Sequence, residues 1–137
     1  MINYIIDASI ILKVILKEDV SVSNKYSKFV EMVKNKKAEF YSVKFLKTEV
    51  ANGIRFGERN KDLGLKIYDI FLGLPIKYIT LSKQQYKNCL KLSYELDTTV
   101  YDTSYHVLAK VYNGTFLTCD KEYYNKAKNL GDIELLK

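Results

Sequence analysis

The hydrophobic pattern along the chain alternates between short unbroken apolar runs and longer segments with helical periodicity. Ile2–Ile6 reads as a short buried strand. From Ala8 to about Lys17 the apolar positions Ile11, Leu12, Ile15 and Leu16 recur at the spacing of one helix face. A second helix is expected from about Ser23 to Lys36, with Tyr26, Phe29, Val30 and Val33 inward and lysines outward. Glu39–Ser42 has strand character, and Lys44–Arg59 and Lys61–Leu72 are helical. The Gly73-Leu74-Pro75 break then leads into a strand at Ile76–Thr80. Ser82 is the expected N-cap of a helix to about Leu96. Thr99–Tyr112 is helical and ends at Asn113-Gly114, the usual chemistry of a left-handed cap. Thr115–Thr118 is a short strand, Lys121–Asn129 a helix and Ile133–Leu136 a last strand. Strands alternating with helices predict parallel pairing through right-handed crossovers, hence an α/β three-layer sandwich with four to five short strands.

Parallel sheets place their sites at the carboxyl ends of strands, which directs attention to the acids there. Two strands run into an aspartate: Tyr4-Ile5-Ile6-Asp7 and Phe116-Leu117-Thr118-Cys119-Asp120. Each aspartate could simply cap the following helix; in a parallel sheet both could also face one crevice. In FLKTEVANGIRFGER, Leu46, Val50, Gly53, Ile54 and Gly57 form an inward stripe, and Glu49 falls beside it, four residues from Phe45 and from Gly53. An acid at the edge of an inward face is either a salt-bridge partner or a site residue. Asp102, in TTVYDTSYHVLAK, fits a capping box with Thr99, yet it shares a face with Tyr105, His106 and Ala109. Capping and a site role are compatible there.

Four carboxylates in one crevice repel one another and raise each other's pKa values unless a cation is present. An all-oxygen, carboxylate-rich donor set suits Mg²⁺ or Mn²⁺, the ions of phosphoryl chemistry. Charge changes the picture in the same direction. The 137 residues carry 22 basic and 16 acidic side chains, net +6, which is compatible with a polyanionic partner. Nearly all of the excess is lysine, and a solvated lysine-rich surface explains it equally well. Arg55 and Arg59, one turn apart beyond Glu49, are candidate phosphate contacts, with a solvated face as the alternative.

DASIILKVIL, TEVANGIR, YDTSYHVLA and FLTCDKEY, in this order and at these separations, resemble the PIN-domain nucleases. Within them they resemble the VapC-type ribonuclease toxins of prokaryotic toxin–antitoxin pairs. The resemblance spans nearly the whole chain and implies a PIN-like fold and a Mg²⁺- or Mn²⁺-dependent endoribonuclease using a metal-activated water. It assigns Asp7 and Asp102 as direct metal ligands, with Glu49 and Asp120 completing the site directly or through water. Ser9, Asn52 and Thr118 match small polar positions that support the acids. It also implies an RNA substrate, a small VapB-type antitoxin whose tail occupies the acidic groove, and a homodimer formed through apolar helices. Two positions depart from the pattern. Val43 and Lys44 stand where a proline is usual, and Thr103 follows Asp102 where alanine is commoner; neither removes an acid.

Several function classes are excluded or set aside. His106 is the only histidine, so no histidine-based metal site or Ser-His-Asp arrangement can be assembled within one chain; a core role is expected for it. Cys89 and Cys119 lack metal-ligand spacing and are too few for a disulfide framework, which fits a reducing cytoplasm. No run approaches a membrane span, and the apolar start is interrupted by Asp7 and Lys13, unlike a signal peptide. No linker, repeat or low-complexity segment marks a boundary, so one domain over 1–137 is expected. A haloacid dehalogenase-type phosphatase would want Asp-x-Asp after its first strand, where Ser9 stands, and a receiver domain would want an acid pair there. The remaining rival is a PIN-like RNA-binding or regulatory module without turnover.

Overall fold

A computed structural model describes all residues, 1–137. It comprises β1 (Ile2–Ile6), α1 (Ala8–Ile15), α2 (Val20–Lys34), β2 (Ala38–Val43), α3 (Leu46–Gly57), α4 (Lys61–Leu72), β3 (Ile76–Ile79) and α5 (Lys83–Leu96). These are followed by α6 (Val100–Val111), β4 (Thr115–Thr118), α7 (Lys121–Ala127), a single 3₁₀ turn (Lys128–Leu130) and β5 (Ile133–Leu135). The five strands form one sheet in the order β3-β2-β1-β4-β5, with every pair parallel. The expected α/β sandwich is therefore present, with the upper of the two expected strand counts.

Differences from the expected boundaries have local causes. Helix α2 begins three residues early because the Asp19 side chain accepts from Val22 N at 3.1 Å and caps it. Helix α3 begins at Leu46 rather than Lys44, with Phe45 in the cap position and no side-chain cap bond. Ser82 does cap α5, in a full capping box with Gln85. Thr99 caps α6 through the Asp102 amide, but the Asp102 carboxylate binds Thr98 instead of closing the box.

The core is built on the two faces of the sheet. Phe40, Phe71 and Phe116 are fully buried, each contributing about 2–3 kcal/mol of burial free energy. Helix α6 lies over β1, β2 and β4 and is buried from Thr103 through Ala109. Helices α1 and α3 approach closely because the α3 stripe carries glycines. A Cβ at Gly57 would stand 2.8 Å from Leu16 Cδ1, and one at Gly53 would collide with Leu12. At the α6–β4 junction Asn113 takes the left-handed conformation (φ 50°). Gly114 passes so close to β1 that a Cβ would lie 2.6 Å from the Asn3 carbonyl oxygen. That contact fixes where β4 enters beside β1.

The chain runs outward from β1 through β2 to β3, then returns to β4 and continues to β5. The direction reverses between β1 and β4, and their carboxyl ends border the crevice that such a reversal opens. Asp7 ends β1 and Asp120 follows β4. Helix α3 leaves the carboxyl end of β2, and α6 starts at that same edge because it must run back to feed β4. The first turns of both helices therefore face the crevice, and they carry Glu49 and Asp102.

Candidate active site

Asp7 is the most constrained of the four acids. It is 7% exposed and caps α1 by accepting from Ile10 N at 3.2 Å. The Ser9 hydroxyl donates to its Oδ1 at 2.6 Å and the Thr118 hydroxyl to its Oδ2 at 2.5 Å. Both hydroxyl oxygens in turn accept from the turn after β4: Ser9 from Cys119 N at 2.9 Å, Thr118 from Asp120 N at 3.0 Å. Each hydroxyl proton is thus committed to Asp7, and the 3.3 Å approach of Ser9 Oγ to Thr118 Oγ1 has no proton of its own. This small network ties the ends of β1 and β4 together through a carboxylate. Burial raises the Asp7 carboxyl to about 6; its three hydrogen bonds pull the other way, and the Glu49 charge adds to the rise.

Glu49 is half-buried and accepts from the Tyr105 hydroxyl at 2.5 Å. Burial raises its pKa, the Tyr105 bond opposes this, and the Asp102 charge adds to the rise. Tyr105 is 2% exposed; burial and the surrounding acids hold its hydroxyl protonated, so it remains a donor. Asp102 Oδ2 accepts from Thr98 Oγ1 at 2.9 Å. Burial raises its pKa, the Thr98 bond lowers it, and Asp120 and Glu122 push it up again by charge. Asp120 caps α7 by accepting from Tyr123 N at 3.0 Å.

The four acids thus form an electrostatic series, Asp7–Glu49–Asp102–Asp120, in which each feels the next. No basic side chain relieves it. The ion pairs are Lys77–Glu39, Lys91–Glu95, Lys110–Asp132 and Lys126–Glu122, and none involves these four. Nor do three acidic, thiol or imidazole groups form a finished ion cage; each carboxylate is engaged by its own donor or cap.

The other expected site residues divide. Ser9 and Thr118 reach Asp7 directly. Asn52 is exposed and its side chain bonds to none of the acids. Arg55 and Arg59 are exposed and line a groove of about 570 Å³ between α3 and α4, with Asn60, Lys61 and Leu65; none of the four acids lines it. His106 is fully buried. Its Nε2 donates to the Gly131 carbonyl at 2.8 Å, which leaves Nδ1 to accept from the Tyr123 hydroxyl, also at 2.8 Å. Burial lowers its pKa, and it serves the core. The Cys119 thiol is pushed up to about 12 by burial and by Asp7, too high for a reactive thiolate. Tyr105 and Thr98 were not singled out from the sequence as donors. The signal for Tyr105 was its place three residues after Asp102 on the inward face; Thr98 carried none.

The whole architecture matches known structures. A chain in the crystal structure of VapBC2 from Rickettsia felis bound to a DNA fragment from their promoter superposes with a TM-score of 0.71, covering 99% of this chain and 100% of that one at 18% identity. PAE2754 from Pyrobaculum aerophilum superposes with a TM-score of 0.66, covering 91% and 86% at 19% identity. The fold is PIN-like. No protein-family model matches the sequence, and no curated protein matches it. At these identities the PIN-like likeness is one of fold, and the case for chemistry rests on the acids.

Proposed function

We propose that this PIN-like chain is a metal-dependent endoribonuclease acting as the toxin of a toxin–antitoxin pair. The observation that carries the reading is the set of four acids at the β1/β4 crevice, unrelieved by any basic residue in a protein of net charge +6. A buried carboxylate raised by desolvation, facing further carboxylates, fits a hard divalent cation through oxygen donors alone. Asp7 and Asp102 would hold Mg²⁺ or Mn²⁺ directly, and Glu49 and Asp120 would complete its surroundings.

Bound there, the ion supplies a water of lowered pKa and neutralises charge on a phosphodiester. The protein's own groups do the rest. Ser9 and Thr118 each donate to one oxygen of Asp7 and so hold its carboxylate in one orientation. Tyr105 donates to Glu49 Oε1 and fixes the orientation of that carboxylate, leaving Oε2 without a protein donor. The lysine-rich surface favours an RNA strand around the acidic pocket.

The likeness to a chain of the VapBC2 complex supports a small antitoxin as partner. A homodimer through apolar helices, as the resemblance implies, would draw on exposed side chains such as Phe56 on α3 and Leu65 and Ile70 on α4. The deciding experiment is cleavage of single-stranded RNA with Mn²⁺ or Mg²⁺, with and without EDTA. Cleavage should vanish with EDTA and in Asp7→Asn and Asp102→Asn. Full activity in both variants would sink the nuclease reading, and RNA binding without cleavage by the unaltered protein would favour the regulatory module.

A further inference from the structure

Phe45 and Tyr101 stack on each other with ring centroids 4.8 Å apart and planes 13° from parallel, yet they are 41% and 55% exposed. Their position gives the pair meaning. Phe45 is four residues before Glu49 on α3, and Tyr101 is four residues before Tyr105 on α6. Glu49 and Tyr105 form the hydrogen bond between the same two helices. The two helices are thus joined by successive rungs: a buried polar one at the acids and an exposed aromatic one a helical turn, about 5.4 Å, further out. Tyr101 is also the chain neighbour of Asp102. The stack stands at the mouth of the acidic crevice, within a nucleotide's reach of it.

Folding alone does not explain these residues. Phe45 occupies the N-cap position of α3, where Ser, Thr, Asp or Asn would satisfy a free backbone N–H; the phenylalanine makes no cap bond. The surroundings of the stack are polar. Lys44, Thr48 and Thr99 are all exposed, whereas Phe56 lies at the other end of α3 and Leu65 on α4. An isolated aromatic platform framed by lysine and hydroxyl groups is the chemistry that binds unpaired nucleobases, which stack on rings while their phosphates meet cations. A protein interface would instead require contiguous apolar area.

We infer that the Phe45–Tyr101 pair is a base-stacking subsite that seats an unpaired nucleobase of the RNA strand beside the bond to be cut. This rests on the nuclease reading and adds to it the place on the protein where an unpaired base is seated.

The test uses a short single-stranded RNA carrying 2-aminopurine, with Ca²⁺ present, and the full chain. Binding should quench the probe. Phe45→Leu and Tyr101→Leu keep apolar bulk but remove the ring. Each should weaken binding and raise KM by roughly tenfold to a hundredfold, with kcat little changed and the far-UV circular dichroism intact. Tyr101→Phe should behave as the unaltered protein. Unchanged quenching and KM in both leucine variants would overturn the inference while leaving RNA cleavage, and so the nuclease reading, standing. Leucine variants that alter only self-association in sedimentation velocity would make the pair a protein contact and overturn it too. An unaltered protein that neither binds nor cleaves RNA would defeat the nuclease reading, and the subsite with it.

Discussion

The carboxyl ends of β1 and β4 are built alike and behave differently. In each, a strand runs into an aspartate that caps the next helix: Asp7 accepts from Ile10 N at 3.2 Å, Asp120 from Tyr123 N at 3.0 Å. Asp7 is nonetheless 7% exposed with its pKa raised to about 6, whereas Asp120 is only half-buried. Strand β1 has β2 and β4 on either side, while β4 borders the three-residue edge strand β5. The two ends are also joined asymmetrically, since Ser9 and Thr118 direct their protons to Asp7 and only accept from the β4 turn. A cap holds an aspartate in place. Burial is what raises its pKa.

The sharpest break of this comparison is in chemistry. On the nuclease reading, Asp7→Asn should lower RNA cleavage by at least about a thousandfold, because loss of a proposed direct ligand would remove several kcal/mol of transition-state stabilisation. Asp120→Asn should cost about 10- to 100-fold, as expected for a group that supports the ligands. Calorimetric titration with Mn²⁺ should rank the two in the same order. Equal losses would mean that the β4 end is as much a ligand as the β1 end.

The next difference is in pH. The Asp7 carboxyl lies at about 6 in the folded chain against an ordinary 3.8. The folded state therefore binds more protons than the unfolded one across that window. Stability contributed by this group is full below pH 4 and is lost as pH rises through 6. The loss approaches ~3 kcal/mol above pH 7. Urea denaturation in EDTA should show Asp7→Asn gaining on the unaltered protein by up to that amount between pH 4 and 7. A flat difference for Asp7→Asn would mean that the carboxylate is better solvated than its burial implies.

Thr118→Val probes the link between the two ends. It removes the donor to Asp7 Oδ2 and the acceptor for the Asp120 amide in one step. Leaving such groups unsatisfied costs about 2 kcal/mol. It should also move the Asp7 titration to higher pH, since that bond favours the charged carboxylate. Thr118→Ser, which keeps the hydroxyl, should recover most of both effects by the same denaturation series.

Much of this was legible along the chain. Strand runs and helical stripes located every strand and α-helix, because each buries one face and its period shows in the sequence; the 3₁₀ turn at Lys128–Leu130 was read as part of the last helix. Boundaries slipped where a cap decided them, as at Asp19. The acids were legible because an aspartate between apolar residues at a strand end has few roles. Their donors were less so: Ser9 lies two residues from Asp7, Thr118, 111 positions away, is marked only by the resemblance, and Tyr105 reaches Glu49 across 56 positions with no such mark. Asn52 shows the converse, a polar residue one turn from Glu49 that points to solvent. Local spacing cannot tell a donor from a bystander when tertiary packing sets the partner.

The smallest effect separates the two tasks of Asp120. Its cap on α7 contributes about 1 kcal/mol, so Asp120→Ala should lose that amount in urea denaturation. Asp120→Ser keeps a good capping oxygen and removes the charge. If capping is its structural task and charge its functional one, the serine variant should unfold within about 0.5 kcal/mol of the unaltered protein while binding Mn²⁺ as weakly as the alanine variant. It should also let the Asp102 pKa fall toward its ordinary value, because Asp120 is one of the charges holding it up. Mn²⁺ affinity in the serine variant equal to that of the unaltered protein would make Asp120 a cap and nothing more, and would leave Asp7, Glu49 and Asp102 as the whole of the acidic site.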